Sequence, residues 1–159
     1  MVMVIRLYFV QHAESKSKEE DPERPLSEKG LKDIKKTAVY AMNNLRIEVK
    51  QIFHSGKLRA QQTAEILAGC VTPQKEVKVN NDLEPLADPR IWQTRLAETT
   101  EDIALVGHLP HLSKLASALL VQDENKEVVA FRMGAILCLE RDQQSRWTIQ
   151  WLVTPETIP

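Results

Sequence analysis

Three segments of the chain hold the polar residues whose types point to chemistry: QHAES (11–15), HSGKLRAQQT (54–63) and GHLPH (107–111). The imidazoles of His12 and His108 can serve as nucleophile, donor or base, and the guanidinium of Arg59 is a permanent planar cation. A nucleophile beside fixed positive donors suits a phosphoryl group, whose three equatorial oxygens carry charge during transfer. Arg59 falls on the first turns of an expected helix, where side chain and helix N-terminus favour an anion together. His54 precedes Ser55 and is expected to pack or support rather than bind. His111 follows His108 by three, a spacing that could share one helix face with a metal. No carboxylate or third histidine arrives at a zinc-like spacing, so no metal is expected. Lys57 reads as a solvated helix lysine that can also attract anionic substrates.

These segments matter only if the fold brings them together. Val4 to Val10 is a nearly continuous apolar, β-branched and aromatic run, the pattern of a strand covered on both faces. The polar stretch SKSKEEDPERP (15–25) reads as a solvated loop of functional length bordering a site. Ser27 offers an N-cap with Glu28 in the first turn. Leu31, Ile34, Ala38, Ala41 and Leu45 then predict an amphipathic helix over 28–45. A strand over Gln51–His54 precedes a helix from about Lys57 to Ala68, with the apolar stripe Ala60, Ala64, Leu67 and Ala68 and a stop at Gly69. A short strand over Glu76–Val79 and a helix over Asp88–Ala97, presenting Ile91, Trp92, Arg95 and Leu96, come next. Ile103–Val106 is a further buried strand ended by a turn at Gly107. Pro110 suits the first position of a helix bearing Leu112, Leu115, Ala116, Leu119 and Leu120. Ala135–Leu139 and Trp147–Val153 flank RDQQS as two strands joined by a polar turn. Strands alternating with helices predict a three-layer α/β/α domain, 1–159, with a mostly parallel sheet and an antiparallel strand pair near the C-terminus. In such sheets, sites lie at the carboxyl ends of strands, where all three polar segments fall.

At these residues the sequence resembles the histidine phosphatase, or phosphoglycerate-mutase-like, superfamily, and especially its short SixA-type phosphohistidine phosphatases. Gln11-His12-Ala13 resembles the family's R-H-G or R-H-A motif after the first strand. Ser55-Gly56-Lys57-Leu58-Arg59-Ala60-Gln61-Gln62-Thr63 resembles S-P-x-x-R-A-x-Q-T. Gly107-His108 resembles the G-H motif, and Pro25 to Gly30 resembles the P-L-[ST]-x-x-G that opens the first helix. The resemblance spans Arg6 to Trp151. It implies a phosphoglycerate-mutase-like fold, with His12 as nucleophile, Arg59 as phosphate ligand and His108 as a second partner of the phosphoryl group. It also implies a covalent phosphohistidine intermediate hydrolysed by water without a metal or other cofactor. Two positions depart from the motifs: Gln11 stands where arginine is usual and Gly56 where proline is usual. A neutral amide still donates to phosphate, but the exchange costs roughly 1 kcal/mol, several-fold to tenfold in rate. Larger members add a carboxylic acid for the leaving oxygen, for which Asp82 and Glu84 in NNDLEPL are the candidates.

The composition sets the remaining bounds. In 159 residues, 21 Lys plus Arg balance 22 Asp plus Glu, leaving a net charge of −1 and no basic field for nucleic acid. The N-terminal apolar run contains Arg6, is too short to span a bilayer, and lacks the basic start and cleavage site of a signal peptide. Cys70 and Cys138 have no CxxC spacing and read as free thiols. A cytoplasmic enzyme without membrane attachment is expected, and a monomer, since no heptad or repeat pattern is present. The favoured substrate is a phosphohistidine-bearing protein, because the chain shows no insertion to close a lid over a metabolite. Two other readings stay open: a small-molecule phosphomonoesterase of the same superfamily, and a phosphate- or phosphoprotein-binding module that has lost catalysis through Gln11.

Overall fold

The computed structural model describes residues 3–159, and its centre is a six-stranded sheet with paired helices on each face. In chain order the elements are β1 (Ile5–Gln11), α1 (Glu28–Asn44), β2 (Gln51–His54), α2 (Leu58–Val71), β3 (Lys78–Val79), a 3-10 turn (Asn81–Leu83), α3 (Pro89–Glu98), β4 (Ile103–Gly107), α4 (His111–Val121), β5 (Ile136–Arg141) and β6 (Trp147–Val153). The strand order is β3-β2-β4-β1-β5-β6, parallel from β3 to β1, with β5 antiparallel to both of its neighbours.

Strand alternation sorts the core into two layers. Tyr8, Val10, Ala104, Val106, Ile136 and Cys138 face α1 and α2, where Ile34, Ala38, Ala41, Ala60, Ala64 and Leu67 meet them. Leu7, Phe9, Ile103, Leu105, Leu137 and Leu139 face α3 and α4, against Trp92, Leu96, Leu112, Leu115 and Leu119. Each fully buried large apolar side chain among them contributes about 1.5–3 kcal/mol. β1 and β4, buried along almost their whole length, therefore form the rigid centre of the molecule.

The helices begin where the sequence carries caps. The Ser27 hydroxyl accepts from the Gly30 N–H at 3.0 Å and donates to Glu14, and the Asp88 carboxylate accepts from the Arg90 N–H ahead of Pro89. Several local expectations need correction. Gly69 does not stop α2: the helix runs to Val71 and ends at Thr72, whose left-handed backbone (φ 47) caps it. Gly107 is a strand residue rather than a turn, and Pro110 caps α4 rather than opening it. Only Lys78–Val79 pair in β3, and Leu31 and Ile91 are exposed because their neighbours already fill the helix–sheet contact.

Two glycines have opposite physical roles. A Cβ on Gly30 would stand 2.0 Å from the Glu14 carbonyl oxygen, whereas one on Gly69 would meet nothing within 4 Å. Gly30→Ala is expected to destabilise by about 3 kcal/mol, since backbone rather than a flexible side chain must move. Gly69→Ala should stabilise by about 0.5–1 kcal/mol through helix propensity. Urea unfolding of the two variants beside the wild type checks both signs.

Candidate active site

Sheet order places the polar segments side by side. β2, β4 and β1 are consecutive in the sheet and parallel, with His54 opposite Val106 and Gln11 opposite Gly107. Their carboxyl ends therefore deliver Ser55, His108 and His12 to one edge. The His12 N–H donates to the Gly107 carbonyl at 3.0 Å, extending the β1–β4 ladder through the site. The rings of His12 and His108 lie 4.9 Å apart, centroid to centroid.

Each ring has a hydrogen-bonding partner, and that of His12 sets its tautomer. His12 Nδ1 lies 2.7 Å from the Ala13 carbonyl. A carbonyl only accepts, so Nδ1 carries the hydrogen and Nε2 keeps its lone pair. Ala13 is itself held, its N–H donating to Thr63 Oγ1 at 3.0 Å, while that hydroxyl donates to the Arg59 carbonyl at 2.7 Å. The second turn of α2 thus grips the residue after His12. His108 Nε2 lies 2.6 Å from Ser55 Oγ, which also accepts from the Lys57 N–H at 3.3 Å. When the hydroxyl donates to His108 Nε2, Nδ1 carries the ring hydrogen. That nitrogen is buried with no partner, as are Arg59 Nε and Gln11 Oε1. Buried polar atoms seldom go unpaired, so this edge is an unfinished hydrogen-bond network made mostly of donors. The two ends of the Gln11 amide exchange by a half-turn, so it can present NH2 as readily as oxygen.

Burial dominates the electrostatics. It holds the imidazole of His12 down to about 4, helped by the charges of Arg59 and Arg24 against the hydrogen bond to Ala13. His108 is pushed down to about 3 by burial, with His12, Arg59 and Lys57 adding to it. Arg59 lies on the first turn of α2, lowered by desolvation and by Arg24, and no carboxylate pairs with it among the described residues.

The other candidates fall into place around this pair. Asp82 is committed elsewhere, its Oδ2 accepting from Arg95 Nη2 at 2.8 Å. Glu84 is exposed and unengaged, one residue after Leu83, whose carbonyl would stand 3.3 Å from a Cβ on Gly107. His54 supports a turn, its Nδ1 accepting from the Gly56 N–H at 3.0 Å. Gly56 sits at φ +94, a backbone that proline, fixed near −65°, cannot adopt. The loss of proline here is a different turn, not a trimmed one. His111 is buried at the start of α4, burial holding it down to about 4. Among the described residues, no cluster of three His, Cys, Asp or Glu could hold a metal. Ser55 and Thr63, which orient the two histidine segments, lie inside the quoted 55–63 motif, but nothing in their types says what they hold.

A single six-stranded sheet between two helix layers, with two histidines and an unpaired arginine at its carboxyl edge, defines a three-layer α/β protein. The sequence model of the histidine phosphatase superfamily (branch 1) matches residues 7–86, and the chain belongs to that family. Phosphohistidine phosphatase SixA of Escherichia coli strain K12 is 26% identical over 139 residues, 85% of this chain and 84% of that protein. The solved protein histidine phosphatase SixA complexed with tungstate shares the fold, with a TM-score of 0.85, 21% identity, and 97% and 99% of the two chains covered. The phosphoserine phosphatase of Entamoeba histolytica in complex with 3-phosphoglyceric acid superposes with a TM-score of 0.68 at 14% identity, over 94% and 97%. The expected phosphoglycerate-mutase-like α/β fold is therefore the observed one, and the chain is a SixA-like, phosphatase-type hydrolase. No helix among the described residues is long and apolar enough to cross a membrane.

The depressed histidines make stability fall with acid. In the unfolded chain these rings titrate near 6.5, whereas in the folded one His12 and His111 do so at about 4 and His108 at about 3. Between those values the unfolded state binds more protons. Urea-unfolding free energy is expected to be flat between about pH 7 and 8 and to fall steadily from about pH 6.5 toward 4. A flat profile through that window would contradict the burial argument.

Proposed function

We propose that the chain removes the phosphoryl group from a phosphohistidine carried on a partner protein, through a covalent intermediate on His12. The observation that carries this reading is the pairing of a neutral His12, its Nδ1 tied to the Ala13 carbonyl, with the unpartnered donors of His108 and Arg59. A tied Nδ1 leaves Nε2 as the attacking nitrogen. An imidazole lowered to about 4 is deprotonated at neutral pH and ready to attack. As the Nε2–P bond forms, charge on the equatorial oxygens is taken by Arg59, by the Nδ1–H of His108 and by the Gln11 amide. The P–N bond to the substrate imidazole, already protonated on its other nitrogen, breaks with its electron pair going to that ring, which leaves as neutral imidazole. Water then attacks phosphorus, releasing orthophosphate and restoring His12.

Exchange of one P–N bond for another is nearly balanced, so the first step needs alignment more than driving force. A protonated imidazole is a good leaving group, and the engagement of Asp82 by Arg95 leaves Glu84 as the free carboxyl at this edge. An acid is needed more for an alkoxide than for an imidazole. Leu109, exposed directly after His108, suits contact with a protein surface better than enclosure of a metabolite. Cys70 and Cys138 are free thiols, which supports a reducing, cytoplasmic setting. Action on protein phosphohistidine would place the chain in signal transduction.

His12→Ala is expected to abolish phosphate release and the acid-labile phosphoenzyme, and Arg59→Ala to lower kcat about 100- to 1,000-fold, as loss of a principal oxyanion donor does. Glu84→Gln should spare turnover of a phosphohistidine protein while lowering that of an aryl phosphate. The check is a matched assay on both substrates with rapid acid-free trapping of label. Unimpaired turnover by His12→Ala would overturn the mechanism, and a Glu84 requirement with the aryl phosphate as better substrate would favour the phosphomonoesterase.

A further inference from the structure

The loop between β1 and α1 carries a cation whose head group is fixed beside the site. Arg24 Nε donates to the Lys16 carbonyl at 3.1 Å, and its Nη2 donates to Ser15 Oγ at 3.1 Å. Both acceptors follow His12 by only three and four residues. The loop is pinned in turn to the helix of Arg59: the Leu26 N–H donates to Gln62 Oε1 at 2.7 Å, one turn along α2. Across the loop, the Lys16 N–H donates to the Pro25 carbonyl at 2.8 Å and the Arg24 N–H to Asp21 at 3.0 Å. Arg24 is thereby held on the segment that follows His12, in a loop fastened to the helix that carries Arg59.

No carboxylate pairs with Arg24 among the described residues. The acidic neighbours are engaged within the loop itself: Glu20 takes the N–H and hydroxyl of Ser17, and Asp21 takes the Glu23 N–H. Arg24 is also sensed by the site, since its charge helps to hold both His12 and Arg59 below their ordinary values. Two guanidiniums near each other without a counter-charge are unfavourable by themselves. A dianion between them reverses the sign of that interaction, and the planar fork of arginine matches phosphate oxygens.

We propose that Arg24 is the second guanidinium of the phosphoryl site, supplying from the β1–α1 loop the positive charge that Gln11 does not. The inference rests on the phosphoryl site proposed above. It also bears on whether Gln11 disables the pocket: the cation is supplied by another chain segment rather than lost.

Anion binding tests this without requiring turnover. Tungstate and orthophosphate are titrated calorimetrically into wild type, Arg24→Ala, Arg24→Lys, Gln11→Arg and the double variant Gln11→Arg/Arg24→Ala. The protonation of His12 is followed by NMR in each. Arg24→Ala should weaken tungstate binding about tenfold or more, the usual cost of a charged hydrogen bond, and Arg24→Lys should recover part of it. Gln11→Arg should restore binding in the Arg24→Ala background. Loss of the neighbouring charge should raise the pH at which His12 takes its proton. A loop-folding role would weaken binding without moving that titration and without rescue by Gln11→Arg, and this pattern overturns the inference. Wild-type affinity in Arg24→Ala overturns it too. Should every substrate fail while anion binding follows the expected pattern, the phosphatase reading falls and the role of Arg24 stands.

Discussion

The hydrogen bond from the His12 N–H to the Gly107 carbonyl is the constraint on which the site depends. It fixes the register of β1 against β4, and register decides which side chains face which layer. A slip of one residue would turn Phe9 and Leu7 toward α1 and α2 and carry His12 away from His108. Gly107 holds this junction because a side chain there would press on the Leu83 carbonyl at 3.3 Å and on Leu112. The contact therefore joins core packing to the spacing of the two imidazoles, and neither can change alone.

Around that junction the fold keeps its charges unbalanced. Among the described residues, His12 and His108 are buried without a paired carboxylate, Arg59 and Arg24 lack ion pairs, and Gln11 and His108 have unsatisfied polar atoms. Such an arrangement costs stability in the free protein. It is tolerable because the surrounding layers are apolar and closely fitted, and because α1 and α2 are fastened to the edge by Ser27–Glu14 and Thr63–Ala13. A bound phosphoryl group would satisfy several of these atoms together, so on the proposed reading the instability of the free site is the affinity of the filled one.

Much of the architecture was legible in the sequence because periodicity alone separates the doubly covered strands Ile5–Gln11 and Ile103–Gly107 from the amphipathic helices. His12, Arg59 and His108 stood out because they follow strands or open a helix, the positions that a parallel sheet gathers at one edge. Helix ends were less legible. Gly69 looked like a stop, yet the stop is Thr72, whose left-handed backbone is imposed by the chain leaving toward β3. Supporting contacts were least legible of all. Ser55 and Thr63 act through partners on other segments, and Arg24 sits in a loop whose alternating charges read as solvated surface. Nothing in a run such as SKSKEEDPERP tells which charge the folded loop turns inward.

On the proposed reading, the place of Gln11 follows from the stability of the bond to be broken. A phosphate monoester is among the slowest of bonds to hydrolyse, and an enzyme acting on it needs every charged donor and an acid for the departing oxygen. A phosphoramidate on imidazole is far more labile, and its leaving group accepts a proton readily. For that substrate a deficit of roughly 1 kcal/mol from one neutral amide slows turnover without ending it. Placing a glutamine beside His12, leaving Asp82 in an ion pair with Arg95 and keeping the edge exposed at Leu109 are three independent features. On the proposed reading, each weighs more against a phosphomonoesterase than against an enzyme that receives a protein-borne phosphohistidine.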